Sequence, residues 1–396
     1  MTNSDDIAGG NEGRSGYFRQ TGRGYRAFYP SPLPPEPSIY LDGPMQLLLS
    51  EADRALGALN MVVSILPNPD LLVGMFVQKE ALLSSQIEGT QSSLVDVLGT
   101  DEDSEPTHDV GEVLNYVKAT RHGIRRLRDD DFPLCSRLLK ELHAILMADV
   151  RGGTSNLTPG ELRTMQIWVG GANPGNARFV PPPAEDLGEM LGDLERYFHA
   201  ESDLPPLVRC ALIHYQFETL HPFNDGNGRL GRLLIALYLL STSTLDEPML
   251  YLSAYLKAHQ QEYYDRLQQV RTEGTYEKWI TFFLEGVVAV CKMVIDTTRR
   301  IQALERNDID ALVAAGAGSE GIAFIRFLLT QPVVQVKDIE KNLGVSYTKA
   351  NKLRALAEEL EIVSQISAGT RNRKYSYHTY ISILSEGTEM VLDREL

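Results

Sequence analysis

The stretch His221-Pro222-Phe223-Asn224-Asp225-Gly226-Asn227-Gly228-Arg229-Leu230-Gly231-Arg232 decides how this chain is read. It separates two apolar runs of helical character, residues 207–220 (LVRCALIHYQFETL) and 233–240 (LLIALYLL). His221, at the end of the first run, can accept a proton near neutral pH. Asp225 offers a hard oxygen, the ligand type that suits magnesium beside phosphate. Gly226 and Gly228 let the backbone approach an anion and turn its N–H groups toward it. A helix expected to start at about Arg229 adds its N-terminus to that anion site. Arg229 and Arg232 are three apart, share one helix face and can reach one polyphosphate.

Gly226, Gly228 and Gly231 also satisfy G-x-G-x-x-G, which signals a dinucleotide fold only after a strand. A helical run precedes them and no βαβ alternation surrounds them, so the Rossmann reading is set aside. A glycine-rich helix–helix turn with surface arginines is the plainer alternative. It leaves unexplained why His, Asp, Asn and two Arg fall within twelve positions.

The stretch resembles the signature of the Fic family, H-P-F-x-[DE]-G-N-G-R-x-x-R, at every position. The resemblance implies a mainly α fold, a Fic-type helical core with a β-hairpin flap. It also implies a protein adenylyltransferase that moves AMP from ATP to a Ser, Thr or Tyr hydroxyl of a protein. His221 would be the general base and Asp225 the Mg2+ ligand. Gly226, Asn227, Gly228, Arg229, Leu230, Gly231 and Arg232 would bind ATP, and Phe223 would anchor the loop in the core.

A second motif lies upstream. Residues 43–65 and 71–88 have helical periodicity, and the second run ends Ser84-Ser85-Gln86-Ile87-Glu88-Gly89. Ser84 and Glu88 share a face, Gly89 can end the helix, and an acid there opposes the helix dipole. Ser84-x-x-x-Glu88-Gly89 resembles the family's inhibitory motif, [ST]-x-x-x-E-[GN]. The resemblance implies that Glu88 pairs with Arg232, reaches the ATP site and restrains the enzyme. It also allows the reverse reaction, removal of AMP, with Glu88 positioning water.

Elsewhere, 396 residues with 43% hydrophobic content provide for two or three domains with real cores. A formal charge of −15 argues against a general nucleic-acid coat. Cys135, Cys210 and Cys291 lie far apart in apolar contexts and read as buried free thiols. No apolar run is as long as a membrane span and no signal-peptide core is seen, so a soluble cytoplasmic protein without membrane contact is expected.

Residues 1–16 read as a mobile tail, and 17–40, rich in Tyr, Phe and Pro, as an extended arm. The acidic stretch 101–112 reads as an exposed loop. Helices are expected at 113–128 and 135–146, the latter carrying a packed His143. Residues 166–171 and 179–181 read as a hairpin. The resemblance makes it the flap that docks a target segment, through Trp168, Val169 and Gly170. Residues 252–279 read as helical, followed by a helix ending near Arg306. By the resemblance Tyr263, with Tyr255 as rival, lies near the adenine. His214 reads as packed.

Beyond a glycine-marked boundary at 316–321, helical runs at 336–343 and 347–360 flank a turn at Gly344-Val345-Ser346. Two strand-like segments, 362–366 and 373–377, follow, which is the grammar of a winged helix-turn-helix. Residues 331–380 carry +3 while the rest carries −18. Lys349, Lys352, Arg354, Arg371 and Arg373 are the candidates for DNA contact.

The expected division is a tail (1–16), an arm with the inhibitory helix (17–112), a Fic catalytic core (113–305) and a winged-helix domain (318–396). The partners implied are ATP, an unidentified target protein that includes the chain itself, DNA through the winged helix, and a second copy in a homodimer. The alternative reading is a nucleotide-sensing DNA-binding regulator with a Fic-like core. An intact His221, which sensing does not need, favours the enzyme.

Overall fold

The computed structural model describes residues 13–22, 24–64, 69–100, 106–149, 158–367 and 373–389. Residues 1–12 of the expected tail, 101–105 of the acidic loop and the wing connection with Arg371 lie outside that set.

In chain order the elements begin with β1 (Gly16–Gln20), β2 (Arg26–Pro30), α1 (Gly43–Ser64), α2 (Pro69–Ile87), α3 (Leu94–Leu98), α4 (His108–Arg128) and α5 (Ser136–Leu146). Next come α6 (Leu187–His199), α7 (Pro206–Leu220), α8 (Asn227–Ser241), α9 (Ser253–Ala258), α10 (Gln260–Glu273) and α11 (Tyr276–Ala314). The chain continues with α12 (Gly318–Thr330), β3 (Val333–Val334), α13 (Val336–Leu343), α14 (Tyr347–Glu359), β4 (Ser364–Gln365), β5 (Tyr375–Ser376) and α15 (His378–Ser385). The fold is mainly helical, as expected.

The chain divides into two compact units. The first contains the segment up to Leu56, Lys118–Asp246 and Tyr255–Val288. Its centre is the α7–α8 pair. Nearly every residue of α7 is buried, and so is most of α8. A helix apolar all round belongs inside a core, and these two flank the 221–226 loop. The aromatic arm is not a lone extended segment: β1 and β2 pair antiparallel, Phe18 opposite Phe28. The Phe28 N–H then donates to Val180 C=O at 2.9 Å, so β2 docks on residues next to the flap.

The second unit contains Gly57–Val117, Glu247–Ala254 and the segment from Ala289 onward. Here α2 packs against α12 and α15. Two polar side chains one heptad apart on α2 reach the turn after α15. Lys79 Nζ donates to Glu386 C=O at 2.8 Å, and Gln86 Nε2 donates to Thr388 C=O at 3.1 Å. Part of the expected acidic loop is helical instead: α4 starts at His108. Asp109 in its first turn suits the helix N-terminus and accepts from the Gln91 N–H at 2.7 Å.

Three further boundaries differ from expectation. The run 252–279 breaks at His259 and again at Gly274, whose φ of +68° ends α10. The following helix does not stop near Arg306 but runs on to Ala314, because Leu312 is buried and Asp308 accepts from the Tyr377 O–H at 2.6 Å. At the C-terminus α13 and α14 flank Gly344, left-handed at φ +64°. The strands after them are only two residues each and join β3 in the order β3-β5-β4.

Candidate functional site

The loop is built by satisfying backbone groups that a helix end leaves open. α7 terminates at His221, which takes a left-handed conformation (φ 47°, ψ 61°). For a non-glycine residue that costs about 1–3 kcal/mol. Pro222 has no N–H, so it cannot help the carbonyls around it. Arg163 does so instead. Its Nε donates to His221 C=O at 2.9 Å and its Nη2 to Leu220 C=O at 3.4 Å. Its own backbone N–H donates to Pro222 C=O at 3.0 Å. The side chain is 2% exposed, and burial draws its guanidinium down to about 10, still charged at neutral pH.

Two residues close the loop from within. Phe223 is fully buried, which anchors the loop by roughly 1.5–3 kcal/mol. Asn227 folds its amide back on the same residue: the Phe223 N–H donates to Oδ1 at 2.9 Å, and Nδ2 donates to Phe223 C=O at 2.8 Å. The helix therefore begins at Asn227, two residues before the expected Arg229, with Gly226 at φ +74° as its cap. The Asn227 side chain braces the loop, which leaves its backbone N–H to face an anion.

Two buried histidines support the loop from outside. The Gly160 N–H donates to His143 Nδ1 at 2.8 Å, so the ring proton sits on Nε2, which donates to Asp225 C=O at 3.0 Å. The same ring stacks on Phe223 at 3.8 Å. Seventeen residues along the fold from Gly231, His214 Nδ1–H donates to the Gly231 C=O at 2.9 Å and its Nε2 accepts from the Tyr263 O–H at 2.8 Å. Burial pushes His143 down to about 4 and His214 to about 3, so both are neutral rings. Gly231 leaves room for the Glu218 carboxylate: an added Cβ would displace it and crowd the Phe217 ring.

The groups left for chemistry lie on this frame. His221 Nδ1 faces Glu218 C=O at 3.3 Å. With the proton on Nδ1, Nε2 carries the lone pair of a base. Asp225 Oδ1 accepts from the Gly226 N–H at 2.6 Å. Arg229 and Arg232 are 4% and 3% exposed, one helix turn apart. Arg229 Nη2 lies 3.6 Å from Met147 Sδ. The N–H groups of the first turn of α8 have no partner within the helix, as at any helix start. Base, carboxylate, amides and two guanidiniums thus converge on one loop.

The flap is narrower than expected. Val169 and Phe179 form one antiparallel bridge, with N–H···O=C distances of 2.8 and 3.1 Å, and no longer ladder follows. Gly170 and Gly171, at φ +69° and +76°, turn the chain on one side, and Pro181, Pro182 and Pro183 lack donors on the other. Trp168 and Val169 are 40% and 38% exposed. Tyr263 is 1% exposed, with its hydroxyl engaged by His214.

In the second unit Ser84 is buried in α2, Gly89 has φ +97°, and Glu88 between them is exposed just beyond the helix end. Of the C-terminal cations, Lys349 pairs with Glu320 and Arg354 with Glu358, while Lys352 is exposed. Cys135, Cys210 and Cys291 are free and buried, as expected. Among the described residues no helix is long and apolar enough to cross a membrane.

What these features define is a helix–loop–helix turn with a histidine at one end and two arginines one helix turn apart at the other. Residues 46–125 match the family model for the Fic/DOC family N-terminal region, and residues 133–239 match that for the Fic/DOC family. The first matched segment contains Ser84–Gly89 and the second contains the 221–232 loop.

Among curated proteins, Protein adenylyltransferase fic-1 of Caenorhabditis briggsae is 36% identical over 115 residues, 27% of this chain and 21% of that protein. Protein adenylyltransferase Fic of Culex quinquefasciatus is 30% identical over 174 residues, 43% of this chain and 30% of that protein. The matched stretches thus span about a fifth to a third of these relatives' length. A solved Fic family protein from Desulfovibrio desulfuricans G20 is similar in fold, with a TM-score of 0.54 at 20% identity over 85% of this chain and 97% of that one.

Proposed function

We propose that the 221–232 loop binds ATP and that the protein transfers AMP from it to a hydroxyl group of a protein. The observation that carries this reading is the burial of Arg229 and Arg232 at the N-terminal end of α8. Two cations there oppose the helix dipole and repel each other. Placed three residues apart at the start of α8, both guanidiniums can reach one polyphosphate, whose charge also suits the helix N-terminus. The curated relatives named protein adenylyltransferase support the same reading.

In the reaction, the target hydroxyl oxygen attacks the α-phosphorus of ATP in line with the α–β bridging oxygen. His221 Nε2 takes the hydroxyl proton. The bond from the α-phosphorus to the bridging oxygen breaks, and pyrophosphate leaves along the side of Arg229 and Arg232. The amides at Asn227 and Gly228 face the charge as it develops. Asp225 fits a magnesium ion, which uses few protein carboxylates and fills its shell with substrate phosphates and water. Bound there, it would offset charge on the phosphates.

Trp168, Val169 and Gly170 offer the target a strand edge. Tyr263 supports the adenine side of the site. Glu88, following Ser84 and preceding Gly89, restrains turnover by engaging Arg232, and it positions water in the reverse reaction. On this reading the work divides among 17–112, 113–305 and 318–396, in a cytoplasmic protein able to act on itself and to pair as a homodimer. A second reading, nucleotide-sensing with DNA contact through the C-terminal helix-turn-helix, is favoured by exposed Lys352 on α14.

The test is ATP binding and AMP transfer by the wild type, Glu88→Gly and Arg232→Ala. Glu88→Gly should raise transfer by about ten- to a hundred-fold, the effect of releasing one charge-assisted bond. Arg232→Ala should weaken ATP binding in the Glu88→Gly background. Equal ATP affinity with and without Arg232, and no transfer by Glu88→Gly, would contradict the proposal.

A further inference from the structure

Arg163 does more than cap α7. The same guanidinium reaches both sides of the flap. Its Nη1 donates to Met165 C=O at 3.2 Å, just before the flap, and its Nη2 to Pro182 C=O at 2.5 Å, just after it. Among the described residues every acceptor it uses is a backbone carbonyl, and these carbonyls come from three separate segments. Five N–H donors in a rigid plane suit that task, and no other side chain has so many.

We propose that Arg163 is a positioning residue that fixes the flap relative to His221. The inference rests on the reading that the flap holds the target hydroxyl and His221 takes its proton. The reasoning is geometric. The flap has one bridged pair, Val169 with Phe179, and is exposed at Trp168. Besides that pair, the Gln166 side chain crosses to Pro181 C=O at 2.9 Å, and no longer ladder fixes the register. The strained left-handed turn at His221 gets no help from Pro222, which supplies no donor. Gln166 bonds Pro181 C=O, β2 holds Val180, and Arg271 lies over the Phe179 ring, but Arg163 is the side chain that hydrogen-bonds both arms of the flap and the His221 carbonyl, so it couples the position of a flap-bound hydroxyl directly to the base. Misplacing reacting groups by about 1 Å costs on the order of a hundred-fold in rate. ATP, held from the α8 side, does not depend on that coupling.

The experiment compares Arg163→Lys and Arg163→Gln with the wild type, each carried also in the Glu88→Gly background. Lysine keeps the charge but not the fork; glutamine keeps a short donor and loses the charge. Amide hydrogen exchange at Val169 and Phe179 should quicken by about tenfold or more in both variants, as expected for losing one or more charge-assisted bonds. Quenching of Trp168 should rise, whereas Trp279, the other tryptophan, is fully buried and reports whether the core is intact. In the Glu88→Gly background kcat for a protein hydroxyl should fall at least about tenfold while ATP affinity stays within about threefold.

Exchange at Val169 and Phe179 as slow as in the wild type, with the core intact, would overturn the proposal. So would faster exchange with kcat unchanged. The exchange measurement needs no AMP transfer, so absence of transfer in every protein, Glu88→Gly included, would count against the adenylyltransferase reading, while the flap result would still decide the role of Arg163 in holding it.

Discussion

The loop at 221–232 and the flap at 165–182 belong to one compact unit and are held in opposite ways. In the loop, Arg163 and two neutral histidines hold backbone carbonyls, and Asn227 grips both backbone groups of Phe223. In the flap one bridged pair and a few side-chain bonds do the work, and Trp168 is partly exposed. The difference teaches where precision is needed. On the proposed function, atoms that handle phosphate and protons must not move, whereas a surface that receives a polypeptide gains from adjusting to it. The strain at His221 is held only where the surroundings over-determine it.

That comparison can be broken in graded steps. His221→Ala should cost the most, about 10²–10⁴-fold in AMP transfer, with ATP binding and unfolding temperature little changed. An equally large loss from a flap substitution would remove the distinction. Gly231→Ala should come next, because the new Cβ displaces the Glu218 carboxylate and crowds the Phe217 ring. A loss of about 1–3 kcal/mol in unfolding free energy is expected, read by denaturant titration.

The third step is pH. His143 and His214 are held at about 4 and about 3 in the folded chain, against 6.5 when unfolded. The unfolded state therefore binds more protons below pH 6.5. Stability from these rings is complete above that pH and declines as pH falls toward 4, by about 1.4 kcal/mol per unit for each. His143→Gln should remove one share of that slope, and urea midpoints across pH 7 to 4 would show it. Smallest of all, Arg178→Ala, which removes the partly exposed pair with Asp265, should change stability by no more than about 1 kcal/mol. A larger change would mean that the flap is braced more like the loop than its single bridge indicates.

Much of the loop was legible because its chemistry is contiguous. A base, a carboxylate, glycines and two arginines within twelve residues need no tertiary knowledge to be recognised. The braces were not legible in the same way. His143 is 82 residues from Asp225 and Arg163 is 58 from His221, and neither sits in a local pattern that betrays its partner. One signal was present: a helix ending at His221-Pro222 leaves carbonyls that Pro222 cannot serve, so their donors must come from elsewhere.

The helix start at Asn227 was hidden for a related reason, since the Asn227 amide caps the loop instead of facing ligand. The flap shrank to one pair because Gly170, Gly171 and three prolines flank it. Residue periodicity located α13 and α14 closely, since Gly344 and Ser346 punctuate them, but it cut α11 short by missing the buried Leu312 and the Asp308–Tyr377 bond.

The central claim is that this loop transfers AMP. The most direct measurement offers ATP labelled at the α or at the γ phosphate, with magnesium, to Glu88→Gly and to Glu88→Gly with His221→Ala. Label on protein is then followed for each. The account predicts label from the α position alone, and none once His221 is gone. Label from the γ position alone would make the chemistry phosphoryl transfer, and label from neither with ATP still bound would leave a nucleotide sensor; either result contradicts it.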